Sequence, residues 1–181
     1  VICFGCLLGV QLPPDMEPGL AESHFFEPSN FTYPFGAHIA IVEIDADTGE
    51  VDVQRYIAVD DCGNIINPLI VEGQVHGGIA QGMGQALYEE AIFDENGQML
   101  TGSFMDYGMP RADIMPDIIS DLALVSSKNN PLGVKGGSEA GNCGAPPAIV
   151  HALIDALSPL GFGDINLPVT PERVWRALEK K

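Results

Sequence analysis

Two stretches of alternating apolar and polar residues in the first third of the chain predict a β-hairpin. Both "AHIAIVEID" (37–45) and "VDVQRYIAVDD" (51–61) alternate and contain β-branched residues, which favour strands. Between them, "ADTGE" supplies the Asp, Thr and Gly typical of a tight turn. The same reasoning predicts a hairpin turn at Asn96-Gly97 in "FDENGQML" and a further strand within "DIISDLALVS" (117–126).

The pattern changes to a helical one in residues 69–92, where an apolar residue recurs about every four positions. Glycines interrupt this predicted helix at positions 73, 77, 78, 82 and 84. Each costs roughly 1 kcal/mol relative to alanine. So many glycines indicate that a neighbouring backbone or a ligand must approach the helix closely.

Two further helices are predicted towards the C-terminal end of the chain. "NNPLGVKGGSEAGNCGAPP" (129–147) has the composition of a long loop, and Pro146 and Pro147 are predicted to begin the apolar helix "AIVHALIDAL". Thr170 is the predicted N-cap of the last helix, "PERVWRALEK".

The chain begins with predicted β-hairpins, and the predicted helices are interspersed after them. This order predicts an α+β fold, in which helices pack on one face of a mostly antiparallel sheet. A length of 181 residues suggests one domain. Residues 11–34 are rich in proline and aromatic residues and have no period, so we predict an extended arm over residues 1–34, truncated at its start. Residues 35–181 are then the domain.

Composition and charge exclude several classes of partner. The net charge is −17 and the sequence pI is about 4.2. A chain this acidic is not expected to bind nucleic acid or an anionic membrane surface. The opening apolar run lasts only about ten residues, too short to span a bilayer, so no integral membrane segment is predicted. The chain begins on Val1 within this run and is expected to be cut from something longer.

Four cysteines in a chain of this length do not predict a disulfide framework. Cys3 and Cys6 have C-x-x-C spacing, but no second pair or adjacent histidine completes a tetrahedral zinc site. Reduced thiols in a cytoplasmic protein are the favoured interpretation. No residue is assigned as a metal ligand.

Lys135 and Glu139 stand four residues apart in the glycine-rich "GVKGGSEAGNCGAPPAIV" (133–150). In one interpretation they form a surface ion pair worth well under about 1 kcal/mol. In the other, Glu139 is partly desolvated where the loop meets an apolar helix, and it acts as a general base. The glycine backbone would also offer N–H groups to an anionic ligand. The residues alone leave both interpretations open.

Polar residues also accompany the glycine-rich helix, namely Gln74, His76, Gln81 and Gln85. They are either ordinary surface groups or donors and acceptors for a heterocyclic ligand. Asp60, Asp61 and Cys62 follow a strand, where a turn-forming role is favoured over metal binding. No G-x-G-x-x-G after a strand, P-loop or G-x-S-x-G occurs, so neither the usual nucleotide-binding folds nor a serine hydrolase is predicted.

Several long segments together resemble one family. They are "TYPFGAHIAIVEIDADTGEVDVQRYIAVDDCGNIINPLIVEGQVHGGIAQGMGQALYEEA", "DYGMPRADIMP", "NPLGVKGGSEAGNCGAPPAIVHALIDAL" and "PERVWRAL". In this order and spacing they are similar to the C-terminal part of the large, molybdopterin-binding chain of the molybdenum hydroxylases. This is the xanthine dehydrogenase and aldehyde oxidase family, and the similarity is greatest to aerobic carbon monoxide dehydrogenase.

The resemblance implies an oxidative hydroxylation in which water supplies the oxygen and molybdenum collects the electrons. It implies that Glu139 is the general base and that Gln81, followed by Gly82, contacts the pterin. Lys135, Gly136 and Gly137 would help shape the pocket. Ser138 stands where the family usually has glycine, and it would be strained if the position requires a positive φ or a close backbone approach.

The resemblance also implies a cofactor and partners. The cofactor would be molybdopterin, in the cytosine dinucleotide form for a bacterial source, and in the full-length enzyme copper could bind through a residue that this chain lacks. Partners would be the remainder of the large subunit, an iron–sulfur small subunit, a flavin medium subunit and a small-molecule substrate. The substrate could be carbon monoxide, an aldehyde or an N-heterocycle. This chain by itself is expected to be inactive, and the alternative is a non-catalytic remnant or interaction fragment.

Overall fold

The computed structural model describes residues 23–161, 163 and 165–179. Within them the elements are β1 (Phe35–Ile44), β2 (Val51–Asp61), α1 (Pro68–Leu87), β3 (Asp117–Leu122), α2 (Ala140–Leu157) and α3 (Pro171–Glu179). Short 3₁₀ helices, Ala112–Ile114 and Ser158–Leu160, precede β3 and follow α2. In the predicted arm, residues 23–34 contain no helix or strand, whereas residues 1–22, with Cys3 and Cys6, lie outside the described residues.

Strands β1 and β2 form the predicted hairpin and pair antiparallel along their whole length. Asp45 closes the turn, because its carboxylate accepts the N–H of Asp47 at 2.8 Å and that of Thr48 at 3.2 Å. Gly49 completes the turn with a φ of 76°, and a Cβ there would lie 2.7 Å from the backbone nitrogen of Trp175. The prediction of this hairpin is confirmed.

Strand β3 lies on the other side of β2 and runs parallel to it, with Arg55 opposite Asp117 and Asp60 opposite Leu122. The sheet, in the order β1-β2-β3, is therefore mixed, and the prediction of a mostly antiparallel sheet is wrong. Between β2 and β3 the chain passes through α1, and a crossover of this kind brings the next strand back in the same direction. Alternation in residues 117–126 identified the strand but contains no information about its direction.

Helix α1 confirms the predicted helix of residues 69–92, although it ends at Leu87. Its N-cap is Asn67, whose side chain accepts the N–H of Ile70 at 3.3 Å, and Pro68 occupies the first turn, where its missing N–H does no harm.

Helix α2 begins at Ala140, so the prediction that Pro146 and Pro147 begin this helix is wrong. Both prolines lie inside the helix, where each removes a backbone hydrogen bond. The turns of α2 that precede Pro146 bury Gly141 and Ala145 against α1. This tertiary packing outweighs the local preference of the prolines, and it places Glu139 at the N-cap position instead of within a loop.

The remaining local predictions are confirmed with smaller differences. Gly97 has a φ of 81° in the predicted turn, but its flanks form only an isolated antiparallel bridge between Phe93 and Met99. Helix α3 begins directly after Thr170, the predicted N-cap, whose carbonyl accepts the N–H of Val174 at 3.1 Å.

The core lies between the sheet and the helices, which pack on one face of the sheet as predicted. It is one cluster of buried residues, comprising Val53, Tyr56, Ala58, Val75, Ile79, Met83, Ala86, Leu87, Ala145, Ile149, Leu153, Val169 and Val174. On the opposite face of the sheet, Ile39 is 57% exposed and Ile119 is 45% exposed.

One helical stretch in the described part of the chain, Ala140–Leu160, is long and apolar enough to cross a bilayer by length and composition alone. Its residues Ile149 and Leu153 are fully buried against the other elements of the domain. One face of this stretch therefore packs in the core, whereas only 22% of its most apolar window is buried.

Candidate functional site

Helices α1 and α2 cross with their backbones in contact. A Cβ on Gly78 would lie 2.7 Å from the backbone nitrogen of Asn142, and a Cβ on Gly82 would lie 2.6 Å from the side-chain Cβ of Ala145 and 3.4 Å from the carbonyl oxygen of Asn142. The expectation that a neighbouring backbone approaches the glycines of α1 is confirmed at Gly78, whereas the nearest atoms at Gly82 belong to the side chains of Ala145 and Pro146. Gly82, assigned to the cofactor by resemblance, is thus buried in the helix crossing.

The helix crossing brings two of the expected site residues to one place. Gln81 is exposed on α1, and its Oε1 accepts a hydrogen bond from Nδ2 of Asn142 at 2.9 Å. Asn142 lies in the first turn of α2, three residues after the exposed N-cap residue Glu139. Sequence reasoning did not single out Asn142, although its helical spacing from Glu139 was available once the helix start was known.

Lys135 does not pair with Glu139, so the interpretation of these two residues as a surface ion pair is wrong. Its Nζ lies 2.5 Å from Oδ2 of Asp61, and the side chains are 10% and 0% exposed. The Nζ also lies 4.9 Å from the centroid of the Phe35 ring. In the described part of the chain, Glu139 forms no ion pair, and its side chain makes no capping hydrogen bond.

Asp61 connects the end of β2 to the glycine-rich loop. Its Oδ1 accepts the N–H of Gly63 at 2.8 Å and that of Val125 at 3.0 Å, which confirms its turn-forming role. Burial would raise the pKa of Asp61, but the hydrogen bond from Lys135, these two backbone N–H groups and the lysine charge together lower it below its ordinary value. The loop is fixed further by the backbone N–H of Lys135, which donates to the carbonyl of Cys62 at 3.0 Å.

The glycines between Lys135 and Glu139 have different surroundings. A Cβ on Gly136 would meet no atom within 4 Å, whereas one on Gly137 would lie 2.9 Å from Sγ of Cys62. No non-glycine residue in the described ranges has a positive φ. Ser138 is therefore not in the left-handed region, and the expected strain at this position is wrong.

A cavity of about 490 Å³ lies between the start of β1 and α2, and we call it the β1–α2 cavity. It is lined by Pro34, Phe35, Gly36, His38, Asp60, Glu139, Ala140, Cys143, Gly144, Pro147, Ala148 and His151. The cavity is open to solvent, and Glu139 at its border is exposed, so the expected partial desolvation of Glu139 is not seen in this chain. The first turn of α2, which carries Asn142, borders this cavity.

A buried hydrogen-bonded chain forms one wall of the β1–α2 cavity. Nδ1 of His38 lies 2.8 Å from the hydroxyl of Tyr56, and Nε2 lies 3.1 Å from Oδ1 of Asp60. Sequence reasoning considered Asp60 only as a turn residue and missed His38. The available signal was a histidine at an inward-facing position of an alternating strand.

The other candidate polar residues are not gathered at this place. His76 Nε2 lies 3.1 Å from Oγ of Ser120, so it connects α1 to β3. Gln74 and Gln85 are exposed on α1. Within the described residues, no group of three or more His, Cys, Asp or Glu side chains could hold a metal ion.

Comparison with known proteins identifies the family of this chain. Residues 8–116, more than half of the chain, match the model of the molybdopterin cofactor-binding domain. The chain belongs to the molybdopterin-binding family of the molybdenum hydroxylases. The implied family of the sequence analysis is therefore confirmed, and with it a molybdenum cofactor as the group that this family binds.

Relatives of this molybdenum hydroxylase chain include oxidoreductases with different named substrates. The carbon monoxide dehydrogenase large chain of Hydrogenophaga pseudoflava is 41% identical over 170 residues, covering 94% of this chain and 21% of that protein. The nicotine 6-hydroxylase large subunit of Paenarthrobacter nicotinovorans is 43% identical over 165 residues, covering 91% of this chain and 20% of that subunit. Our chain therefore spans about a fifth of the length of these relatives.

Solved structures of the family have the same fold. Quinoline 2-oxidoreductase from Pseudomonas putida 86 superposes with a TM-score of 0.88 at 40% identity, covering 98% of this chain and 23% of that chain. The Cu,Mo-CO dehydrogenase superposes with a TM-score of 0.86 at 41% identity, covering 93% of this chain and 21% of that chain.

Proposed function

We propose that this chain is the C-terminal, cofactor-binding part of the large subunit of a molybdenum hydroxylase. The whole enzyme oxidises a small carbon substrate with water as the oxygen source, and Glu139 is its general base. The observation that carries the proposal is the hydrogen bond between Gln81 and Asn142, because it joins α1 to the turn of α2 that begins at Glu139.

The surface around this hydrogen bond fits a cofactor with anionic oxygens and a hydrogen-bonding ring. The N–H groups of the first turn of α2 have no side-chain cap, so they are available to an anion. Space above Gly136 is open for close contact with its backbone. The amides of Gln81 and Asn142 offer both donors and acceptors. These groups would hold the cofactor, whose molybdenum accepts the electrons that leave the substrate.

Glu139 is suited to accept a proton at its carboxylate oxygens. Lys135, the cation nearest in sequence, is occupied by Asp61, so no ion pair with Lys135 ties up the Glu139 carboxylate. The role of Lys135 is therefore to fix the loop that carries Glu139, and Gly137 allows that loop to lie against Cys62.

The finer features rest on the family resemblance and belong to the same proposal. We assign the cytosine dinucleotide form of the cofactor, iron–sulfur and flavin partner subunits, the remainder of the large subunit and a cytoplasmic location. The named relatives act on carbon monoxide and on nicotine at similar identity, 41% and 43%. The substrate class is then decided by a loop outside this chain, and a cysteine that holds copper there favours carbon monoxide.

The decisive experiment replaces Glu139 by glutamine in the reconstituted full-length enzyme. We expect unchanged molybdenum content and a fall in kcat of about 10²-fold or more, the usual contribution of a general base. Glu95→Gln, at an exposed position of the Asn96-Gly97 turn, is the matched control. Gln81→Ala should instead lower the cofactor content.

Two results would contradict the proposal in different ways. Normal turnover of Glu139→Gln would remove the assignment of the base while leaving cofactor binding intact. A wild-type enzyme that contains no molybdenum and has no activity would favour the non-catalytic remnant.

A further inference from the structure

The glycine-rich loop is held at Val134 by one side-chain amide that binds both backbone groups of that residue. Nδ2 of Asn130 donates to the carbonyl of Val134 at 2.9 Å, and Oδ1 of Asn130 accepts the N–H of Val134 at 3.1 Å. The carbonyl of Asn130 also accepts the N–H of Gly133 at 3.1 Å. Asn130 therefore closes the residues up to Val134 into a hydrogen-bonded turn.

A second side-chain amide, from the segment that follows β2, holds the middle of the same turn. Nδ2 of Asn64 donates to the carbonyl of Leu132 at 2.8 Å, and the backbone N–H of Asn64 donates to the carbonyl of Gly133 at 3.0 Å. The hydroxyl of Ser126 donates to Oδ1 of Asn64 at 2.6 Å, which fixes the orientation of this amide. We call Asn64, Ser126 and Asn130 the loop clamp.

Two glycines allow the loop clamp to close. Gly63 has a φ of 67° and Gly133 a φ of 69°, a region that side chains with a Cβ rarely adopt. A Cβ on Gly63 would collide with the carbonyl oxygen of Gly133, and a Cβ on Gly133 would lie 2.6 Å from Nδ2 of Asn64. The loop therefore lies with its backbone directly against the segment that follows β2.

Beyond the loop clamp, only residues 136–138 separate this fixed part of the loop from the N-cap of α2. Val134 pairs with Gly63 in an isolated antiparallel bridge, and Lys135 is held by Cys62 and Asp61 as described above. Gly136 is exposed, and a Cβ there would meet no atom within 4 Å. The open glycine backbone is therefore short and is fixed at both of its ends.

We propose that Asn130 and Asn64 are positioning residues for the molybdenum cofactor. The inference rests on the proposed function, in which the cofactor contacts the backbone of Gly136. A free glycine backbone loses much conformational freedom when a ligand orders it. The loop clamp removes part of that freedom before the cofactor binds, so that less is lost on binding. The amide oxygen and nitrogen of both asparagines already have partners in the loop, so both act through the loop and not by contact with the cofactor.

The test is the rate of cofactor release from the folded, reconstituted full-length enzyme, measured as the loss of protein-bound molybdenum in cofactor-free buffer. Asn130→Ala should release the cofactor about tenfold faster, because ordering one backbone residue has a free energy comparable to a tenfold change in affinity, and such changes act mostly on dissociation. We expect kcat per bound molybdenum to stay within about twofold. A merely structural role would lower the denaturation midpoint and leave release from the folded enzyme unchanged.

Asn129→Ala is the matched control, because the neighbouring asparagine donates to the carbonyl of Phe31, outside the loop, at 2.7 Å. This variant should release the cofactor at the wild-type rate. Ser126→Ala removes only the hydroxyl that orients Asn64 and should speed release by about threefold, the effect of one neutral hydrogen bond. Ser126→Thr keeps the hydroxyl and should restore the wild-type rate.

Three results would overturn the inference. If Asn130→Ala releases the cofactor as slowly as wild type, or no faster than Asn129→Ala, the inference is wrong while the proposed function stands. If Asn130→Ala fails to fold, release from Ser126→Ala at the wild-type rate overturns the inference instead. A wild-type enzyme that contains no molybdenum overturns the proposed function, and this inference with it.

Discussion

Replacing Lys135 by methionine tests whether the buried pair with Asp61 holds the glycine-rich loop to the sheet. Methionine keeps most of the apolar length of the side chain and removes its charge. Asp61 then keeps the backbone N–H groups of Gly63 and Val125 on Oδ1, but Oδ2 loses the partner that it has at 2.5 Å. The carboxylate remains buried, since its side chain is 0% exposed.

The expected loss follows from this geometry. Removing one partner of a buried ion pair leaves an uncompensated charge and costs about 3–5 kcal/mol. An exposed ion pair would cost less than about 1 kcal/mol. Lys128→Met is the control, because it removes the same charge from an exposed loop position and should change the free energy of unfolding by less than about 0.5 kcal/mol.

The pH dependence of this loss has a definite sign. The pKa of Asp61 is lowered in the folded state, so its contribution is present above the ordinary aspartate value of about 3.9 and is lost as pH falls through the lower folded value. Without Lys135, burial still raises the pKa of Asp61, and only the two backbone N–H groups of Gly63 and Val125 still lower it. The difference between wild type and Lys135→Met should therefore be greatest at neutral pH and shrink on acidification.

Urea denaturation followed by circular dichroism, at neutral pH and near pH 4, measures both effects. The double variant Asp61→Asn, Lys135→Met should recover part of the lost stability, because no buried charge remains. The reasoning is refuted if Lys135→Met costs less than about 1 kcal/mol at neutral pH, the range of exposed pairs. It is also refuted if the cost is the same at both pH values.

Two further predictions concern small residues. Gly78→Ala should destabilise the protein by about 1–3 kcal/mol, because the added Cβ meets the backbone of Asn142. Gly77→Ala, on the open side of the same helix, should stabilise the protein by up to about 1 kcal/mol. Denaturation midpoints of the two variants that move in the same direction would contradict the helix crossing. Ser138→Gly should lower the free energy of unfolding by about 0.4–1 kcal/mol and should not raise kcat, because serine at this position relieves no left-handed strain. A stabilised or faster Ser138→Gly enzyme would show that the backbone there does require glycine.

Much of the fold and part of the candidate site could be predicted from the sequence, because the signals concerned are local. Alternation of period two identified β1, β2 and β3, and a period near four identified α1. The glycines of α1 indicated a close neighbour before that neighbour was known. Glu139 and Gln81 were named from a resemblance that spans most of the chain, and their assigned roles remain predictions.

Tertiary structure alone decided the features that depend on residues distant in the chain. The direction of β3 follows from the crossover through α1, and the start of α2 follows from packing of its first turns against that helix. Lys135 pairs with Asp61, 74 residues away, and not with Glu139 four residues away. Periodicity reports only which side of an element is buried. The partner of a side chain is set by how the elements pack, because a buried charge must find its counter-charge wherever the fold places one.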